Sequence, residues 1–234
     1  MKPLVIASNL YNEVDQLEEW YKFVYQIADG GILIVDTGST DGTIEFFSDK
    51  KDKNGSKVIV IIDDIIRREG YGPARNHLRR ESSKWFPRAE WMMYLDADER
   101  IDEEEFHGLR FLKDYLISDY DVVALPRIDW KDKEKTEMAK SWVINPDWQA
   151  RMTRLNSPLR YIRRLHEQLE NYSKIYAELS TPKINHFHRS SVDKRDRIGK
   201  LCAKLHMEDK EYGDTYPEHH KESHYREMYL KEGL

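Results

Sequence analysis

Two aspartates separated by one residue, Asp96 and Asp98, stand directly after an apolar stretch that ends at Leu95. Side chains with this spacing can converge on one point where the chain leaves a strand. Carboxylate oxygens suit Mg²⁺ or Mn²⁺, and such an ion then bridges to the phosphate oxygens of a substrate. The pair therefore predicts a divalent cation site, although an acidic turn without any ligand has the same spacing.

A polar turn at residues 36–43 is a second candidate, with the sequence Asp-Thr-Gly-Ser-Thr-Asp-Gly-Thr. Asp41 or Thr43 can cap a helix that follows, while the backbone N–H groups and Asp36 can meet a ligand. The Asp36 carboxylate can accept hydrogen bonds from a base or a ribose. An ordinary strand–turn–helix connection explains the same residues equally well.

Residues 70–76, Gly-Tyr-Gly-Pro-Ala-Arg-Asn, are the third candidate. They predict the start of a helix, where Pro73 is tolerated in the first turn. A helix N-terminus attracts negative charge, and Arg75 can reach a nucleotide from there. Taken alone, the segment is better explained as a glycine-rich loop with a solvated arginine.

These candidates must be positioned by a sheet, because short apolar stretches alternate with helix-period segments through the first half of the chain. We predict strands at residues 4–7, 31–35, 58–62, 91–95 and 122–125, with helices between them and one over 103–116. Such alternation is typical of right-handed βαβ crossovers and a mostly parallel sheet covered on both faces. Ligands bind such sheets beyond the carboxyl ends of the strands. Polar residues follow four of the predicted strands there, at Asn9 and Asn12, residues 36–41, residues 63–64 and residues 96–99.

The amino-acid composition limits the classes of protein to which the chain can belong. The chain is 39% hydrophobic and 35% charged, which allows a core and a solvated surface, and a net charge of −5 argues against a nucleic-acid-binding protein. Its one cysteine, Cys202, cannot form an internal disulfide, which fits a reducing compartment. We see no signal peptide and no apolar run long enough to cross a bilayer. We expect a cytoplasmic protein, either free or peripheral at the membrane.

The three candidates occur in an order that resembles glycosyltransferase family 2, together with Ala7-Ser8-Asn9 and Asn12-Glu13 near the start of the chain. More narrowly, the chain is similar to the bacterial lipopolysaccharide-core type of these enzymes. Those carry an Asp-Ala-Asp-Glu-Arg run, here residues 96–100, and a later His-Glu pair, here His166 and Glu167. The likeness is specific over residues 3–100, weaker to about 190, and absent beyond.

This resemblance implies an α/β protein with the GT-A fold, Rossmann-like, plus a C-terminal helical extension. Residues 1–190 would form the catalytic domain, divided into a nucleotide-sugar half at 1–100 and an acceptor and catalytic half at 101–190, and residues 191–234 would form a helical tail. The implied activity is an inverting, metal-dependent transfer of a sugar from a nucleoside-diphosphate sugar, with UDP-sugars first among the donors. Mn²⁺ or Mg²⁺ is the implied cofactor. A hydroxyl of a glycan, glycolipid or protein-linked acceptor would receive the sugar.

The resemblance also implies roles for single residues. The donor would be bound by Asn9, Glu13, Asp36, Asp64, Arg75, Asp96 and Ala97. Asp98 would hold the cation, with His186 as a further ligand and His188 as its competitor. Glu167 would be the general base, and His166 would either orient it or contact the donor phosphates. Alternatively, Glu167 is a surface carboxylate paired with Arg163 or Arg164.

Other classes of protein fit less well. A sugar-phosphate nucleotidyltransferase usually has a glycine-rich, basic loop after the first strand, and residues 8–13 contain no Gly, Lys or Arg. Haloacid-dehalogenase-like phosphatases place paired aspartates after the first strand, whereas these follow the fourth. An aspartic protease needs two Asp-Thr-Gly triplets and an all-β fold, and the chain has one triplet. A catalytically inactive nucleotide- or carbohydrate-binding module is disfavoured because Asp96, Asp98 and Glu167 are all present.

Overall fold

Strands and helices alternate over the first hundred residues, as the sequence predicts. The computed structural model describes residues 2–139, 147–178, 181–187 and 192–209. In chain order the first elements are β1 (Leu4–Leu10), α1 (Val14–Ile27), β2 (Gly31–Asp36), α2 (Thr43–Phe46), β3 (Ile59–Ile62), α3 (Ile65–Glu69), α4 (Tyr71–Trp85) and β4 (Trp91–Tyr94). The predicted polar residues lie at the carboxyl ends of β1, β2, β3 and β4, but Asn9 is still inside β1 and Asp36 is the last residue of β2.

Strands predominate in the second half. They are β5 (Glu99–Arg100), β6 (Val122–Trp130), β7 (Asp147–Arg154), β8 (Arg160–Ile162), β9 (Gln168–Glu170), β10 (Ile175–Tyr176) and β11 (Ile184–Phe187). The predicted helix over 103–116 is instead a 3₁₀ turn at Glu103–Glu105, α5 (Phe106–Phe111) and a π turn at Leu112–Leu116. In that π turn the Lys113 Nζ donates to the Lys2 carbonyl and to Asp29, both at 2.8 Å. The last described helix is α6 (Val192–Glu208).

The chain divides into two units, each built from separated segments. The first contains Met1–Asp63, Leu78–Leu159 and Asn171–Arg189, and the second contains Asp64–His77, Arg160–Glu170 and Ser190–Leu234. No helix among the described residues has the length and apolar character needed to cross a membrane.

A mixed sheet forms the first unit, and among the described residues its main path runs β3-β2-β1-β4-β7-β6-β11-β5. The pairs of β1 with β2, β1 with β4, and β2 with β3 are parallel, as predicted. Beyond β4 the order becomes mixed, because β7 is antiparallel to both β4 and β6. Antiparallel neighbours need only a loop between them, so the pairing of β6 with β7 does not require a helical crossover.

The core of the first unit lies under α1. Leu17, Trp20 and Val24 recur at helical spacing, are completely buried, and join Leu4 and Ile6 of β1 in one hydrophobic cluster. Each such side chain contributes about 1.5–3 kcal/mol relative to its exposed state. The loops that follow the parallel strands are therefore anchored on a rigid base.

In the second unit, the start of α4 lies against the chain that precedes β9. The backbone N–H of Tyr71 donates to the Arg164 carbonyl at 2.7 Å, and Gly72 donates to the Arg163 carbonyl at 3.2 Å. A Cβ on Gly72 would lie 2.3 Å from that Arg163 oxygen. Close backbone approach therefore explains a glycine of the 70–76 segment without any ligand.

We expect Gly72→Ala to lower the free energy of unfolding by about 1–3 kcal/mol, because a carbonyl cannot swing aside as a flexible side chain can. Gly108→Ala is the matched control, since this helical glycine would place its Cβ in ordinary contact, 3.8 Å from Pro182. That change should raise the free energy of unfolding by about 0.5–1 kcal/mol. Urea unfolding of both variants measures the difference, and a stabilised Gly72 variant would contradict the close approach.

Cys202 packs in the second unit beside a small cluster centred on Leu165 and Leu205. Burial, with a smaller effect of the Glu167 charge, raises the pKa of the Cys202 thiol to about 11. At pH 8 roughly one thiol in a thousand is then ionised, against about one in four for an ordinary thiol. We expect iodoacetamide to alkylate Cys202 at least about a hundredfold more slowly in the folded protein than in urea.

The raised pKa of the Cys202 thiol also determines how the free energy of unfolding changes with pH. An unfolded thiol loses its proton near pH ~8.5 and the folded one only near the raised pKa, so at alkaline pH the unfolded chain binds fewer protons. This group therefore lowers the free energy of unfolding as the pH rises from about 8.5 toward 11. Equal alkylation rates in the folded and unfolded protein would contradict both expectations.

Candidate active site

The turn after β2 is organised by Asp36, whose side chain is completely buried. One carboxylate oxygen accepts the backbone N–H groups of Gly38 at 2.9 Å and Ser39 at 2.7 Å, and the other accepts the Ser39 hydroxyl at 2.6 Å. An aspartate that bonds its own backbone in this way stabilises a tight turn. Asp36 therefore builds the turn, and its contact with a nucleoside stays a prediction.

The same turn is bonded to the loop after β1. The Ser39 hydroxyl oxygen accepts the Asn12 backbone N–H at 2.8 Å, and the Asn12 side chain accepts the Thr40 N–H at 2.8 Å. Asp41 accepts the N–H groups of Val14 at 3.1 Å and of Thr43 at 3.0 Å. The two loops therefore form one hydrogen-bonded edge.

Two predicted donor-binding residues lie in the chain that leads into this edge. Glu13 donates its backbone N–H to the Thr43 hydroxyl at 2.9 Å, and its carboxylate accepts from Gln16 at 2.9 Å. The Oδ1 of Asn9 is buried and has no hydrogen-bond partner among the described residues. A buried acceptor of this kind is a place where a ligand can supply the missing donor.

The turn after β4 rests on buried charge. Asp96 accepts the Tyr94 hydroxyl at 2.5 Å and lies 3.2 Å from the Arg151 guanidinium. Arg151 also forms an ion pair with Glu99, and these two side chains are 1% and 0% exposed. Burial raises the pKa of the Glu99 carboxyl despite the opposing effect of Arg151. Both ends of the Asp96–Glu99 turn are thus held by one arginine, while Ala97 is buried within it.

Asp98 and His186 are brought together by the pairing of β5 with β11. The Phe187 backbone N–H donates to the Asp98 carbonyl at 3.0 Å. The His186 Nε2 then lies 3.3 Å from the Asp98 carboxylate, and its Nδ1 lies 2.8 Å from Asp129. The two residues that the resemblance implies as metal ligands are therefore neighbours in space.

These side chains fit a divalent cation. With its Nδ1 proton donated to Asp129, His186 directs Nε2 toward Asp98, which is how carboxylates commonly orient metal-binding histidines. Burial opposes a charge on His186, but its hydrogen bonds to Asp129 and Asp98 outweigh that effect and raise its pKa to about 10. A metal cation bound at Nε2 would take the place of the proton that Nε2 carries when His186 is charged. The described segments contain no group of three His, Cys, Asp or Glu residues that could hold a metal by themselves, so the fit rests on this pair.

The sequence predicted no place beside the cation site for four of its neighbours, although two of them, the aspartates, were alternatives to Glu167 as the base: Arg127, Asp129, Asp147 and Arg151. Arg127 lies 2.8 Å from Asp147. A period of two is visible along β6 and again along β7, so these side chains share one face of the sheet. That spacing was the available signal, but it does not reveal which strands lie side by side.

The remaining predicted residues belong to the second unit. Arg75 forms an ion pair with Glu167, with side chains that are 11% and 16% exposed, and its guanidinium lies 5.5 Å from the Tyr161 ring centroid. Asp64 is half exposed and lies 2.7 Å from Arg68. His166 is exposed with a φ of 50°. Their roles toward donor and acceptor stay predictions.

The sequence also allowed Glu167 to pair with Arg164. In the structure Arg164 pairs with Glu208 at 3.1 Å, and its backbone N–H donates to Asp209 at 2.9 Å.

His188 and the Tyr- and His-rich tail lie outside the described residues, so the choice between His186 and His188 rests on the contacts of His186 alone.

Comparison with known proteins places the chain in a family. The model of glycosyl transferase family 2 matches residues 9–182. No curated protein sequence matches the chain.

Solved structures of S. aureus TarS share the fold. TarS 1-349 in complex with UDP has 13% identity and a TM-score of 0.52, with 99% of this chain and 70% of that chain covered. A longer TarS chain has 14% identity and a TM-score of 0.53, with 98% of this chain but 43% of that chain covered. Another structure of TarS 1-349 has 13% identity and a TM-score of 0.50, with 98% of this chain and 69% of that chain covered. The mixed sheet with its helices is thus the GT-A fold, and the chain belongs to glycosyltransferase family 2.

Proposed function

We propose that this glycosyltransferase is inverting and metal-dependent, and that it transfers a sugar from a nucleoside-diphosphate sugar to a hydroxyl of a carbohydrate or glycolipid acceptor. One observation carries the proposal: Asp98 and the His186 Nε2 lie 3.3 Å apart, with Asp129 behind the ring at 2.8 Å. In a family 2 chain, these two side chains would hold a divalent cation, which would neutralise charge on the donor diphosphate.

A UDP-sugar is the first donor to test, because TarS, which shares the fold, was crystallised with UDP. The proposed donor-binding residues are Asn9, Glu13, Asp36, Asp64, Arg75, Asp96 and Ala97. The unpartnered Oδ1 of Asn9 supports such a role, since a base or ribose can donate to it. Thermal unfolding with a panel of nucleotide sugars tests this choice, as a ligand at 100 times its dissociation constant stabilises by about 2.7 kcal/mol.

In this mechanism Asp98 and His186 hold the cation, and Asp129 keeps the His186 ring in place. When bound, the cation neutralises charge on the leaving diphosphate. Glu167 accepts the proton of the acceptor hydroxyl while that oxygen forms the new bond to the anomeric carbon. The bond from this carbon to the diphosphate breaks on the opposite face, so one displacement inverts the configuration. Arg75 holds the Glu167 carboxylate by their ion pair.

The domain boundary near residue 190, with a helical tail beyond it, remains part of this proposal. So does a cytoplasmic or peripheral membrane location, which the single cysteine supports. Release of UDP from a UDP-sugar in the presence of Mn²⁺ and acceptor tests the activity directly, and a protein that releases none from any nucleotide sugar would lack it.

We expect Asp98→Asn to weaken Mn²⁺ binding by at least about ten- to a hundredfold, because even partners behind a metal ligand are worth that much. His186→Ala should weaken it more than His188→Ala does. Asp49→Asn is the control, since this acid is 82% exposed and lies 4.0 Å from Lys50 in an ion pair. Titration calorimetry with Mn²⁺ gives the affinities, and unchanged binding in Asp98→Asn would remove the assignment.

We expect Glu167→Gln to lower sugar transfer by ~10²–10⁴-fold, the usual contribution of a positioned base. That equals about 2.7–5.4 kcal/mol of transition-state stabilisation. Mn²⁺ and donor affinities should barely change, because the amide keeps the size of the side chain.

Glu170→Gln is the matched control, since Glu170 also pairs with an arginine, Arg160, at 3.1 Å in the same unit. An exposed pair of that kind is worth about 0–1 kcal/mol, so transfer by this variant should stay near wild type. If Glu167→Gln transfers sugar within about fivefold of wild type, another group is the base.

A further inference from the structure

Arg127 occupies the middle of a row of charged side chains that crosses four neighbouring strands, β7, β6, β11 and β5. In the strand register, Arg127 is opposite Asp147, Asp129 is opposite His186, and His186 is opposite Glu99. Partners in register project from the same face of a sheet. The row therefore leads across the face that carries the proposed cation ligands.

Each nitrogen of the Arg127 guanidinium faces a different carboxylate. Its Nη2 lies 2.8 Å from Asp147, its Nε 3.5 Å from Asp129, and its Nη1 3.7 Å from Glu99. The Asp147 contact is a close ion pair, and the other two lie at longer ion-pair range. The Asp129 oxygen that faces Nε is the one that contacts the His186 Nδ1.

Two of these contacts reach the two sides of the cation site. Asp129 orients the His186 ring, and Glu99 directly follows Asp98 in the chain and is completely buried. One planar guanidinium thus lies at ion-pair distance from two carboxylates at once, that of Asp129, which orients His186, and that of Glu99, which follows Asp98.

We propose that Arg127 is a positioning residue, which keeps His186 and Asp98 directed at a common point where a divalent cation binds. This inference rests on the proposed metal-dependent function. Nothing in it requires Arg127 to touch the cation or the donor.

Charge and position predict opposite effects for the loss of Arg127. Around the site stand five carboxylates, those of Asp96, Asp98, Glu99, Asp129 and Asp147, and the guanidinium groups of Arg127 and Arg151. Removing the positive charge of Arg127 makes the site more negative, so electrostatics alone predicts tighter Mn²⁺ binding. Loss of positioning predicts weaker binding.

The test measures Mn²⁺ binding to the full chain, with Mn²⁺ alone, from the loss of the electron paramagnetic resonance signal of the free ion. We expect Arg127→Met and Arg127→Lys each to weaken binding by about tenfold, the lower end of what partners behind a metal ligand contribute. Lysine should not restore affinity, because a single ammonium cannot replace a planar fork that faces three carboxylates.

Arg154→Lys is the matched control, with a side chain that is 15% exposed against 19% for Arg127. Arg154 pairs with Glu90 and with the backbone of residues 117–120, so its change can alter stability without touching the site. We expect wild-type Mn²⁺ affinity in this variant whatever its melting temperature.

Three results would overturn the inference: unchanged or tighter Mn²⁺ binding in Arg127→Met, wild-type affinity in Arg127→Lys, or an equal loss in Arg154→Lys. If Arg127→Met does not fold, the charge-conserving Arg127→Lys decides alone. His186→Ala separates this inference from the proposed function. Loss of Mn²⁺ binding in His186→Ala but not in Arg127→Lys rejects the positioning role only, whereas a wild-type chain that binds no Mn²⁺ rejects both.

Discussion

The ion pair of Arg151 and Glu99 lies almost wholly out of water, with 1% and 0% of the side chains exposed. Moving a charge out of water costs several kcal/mol per ion, which only a close partner offsets. Neither side chain can turn away without leaving an uncompensated buried charge, at a cost of about 3–5 kcal/mol. The turn from Asp96 to Glu99 is therefore fixed by its most deeply buried residue, and Asp98 is fixed with it.

The loops after β1 and β2, which leave the carboxyl ends of parallel strands as the Asp96–Glu99 turn does, are held by different means. There Asp36, Ser39 and Asp41 satisfy backbone N–H groups with side-chain oxygens, and the loops after β1 and β2 become one structure. Neutral hydrogen bonds of this type contribute about 0.5–1.5 kcal/mol each, and those to a carboxylate more. The first unit thus combines loops stabilised by many modest hydrogen bonds with a turn stabilised by a few buried charges.

The sequence allowed correct prediction of the parallel strands β1 to β4, because their apolar stretches are short and bounded by polar turns, and those of β1, β2 and β3 contain β-branched residues. The proximity of Asp98 and His186 agrees with the family resemblance, and no local pattern would have shown it. Arg127, Asp129 and Arg151 could not be placed beside them, because the pairing of β6 with β7 and β11 joins residues far apart in sequence. Asp36 illustrates a different limit, since a carboxylate that binds a ligand and one that builds a turn have the same sequence.

The hydrogen bonds of Ser39 also limit which residues this fold tolerates at that position. Its hydroxyl donates to Asp36 and accepts from the Asn12 backbone through a single oxygen. Among the common side chains only a hydroxyl can do both in so little space, because a carboxylate has no proton to give and an amide separates its donor from its acceptor. Natural variation at this position should therefore be confined largely to serine and threonine, whereas the neighbouring Thr40, which contributes its backbone N–H to Asn12, is free to vary more widely. Adjacent residues in one motif are thus under unequal evolutionary constraint for a reason that lies in the hydrogen-bonding capacity of one atom.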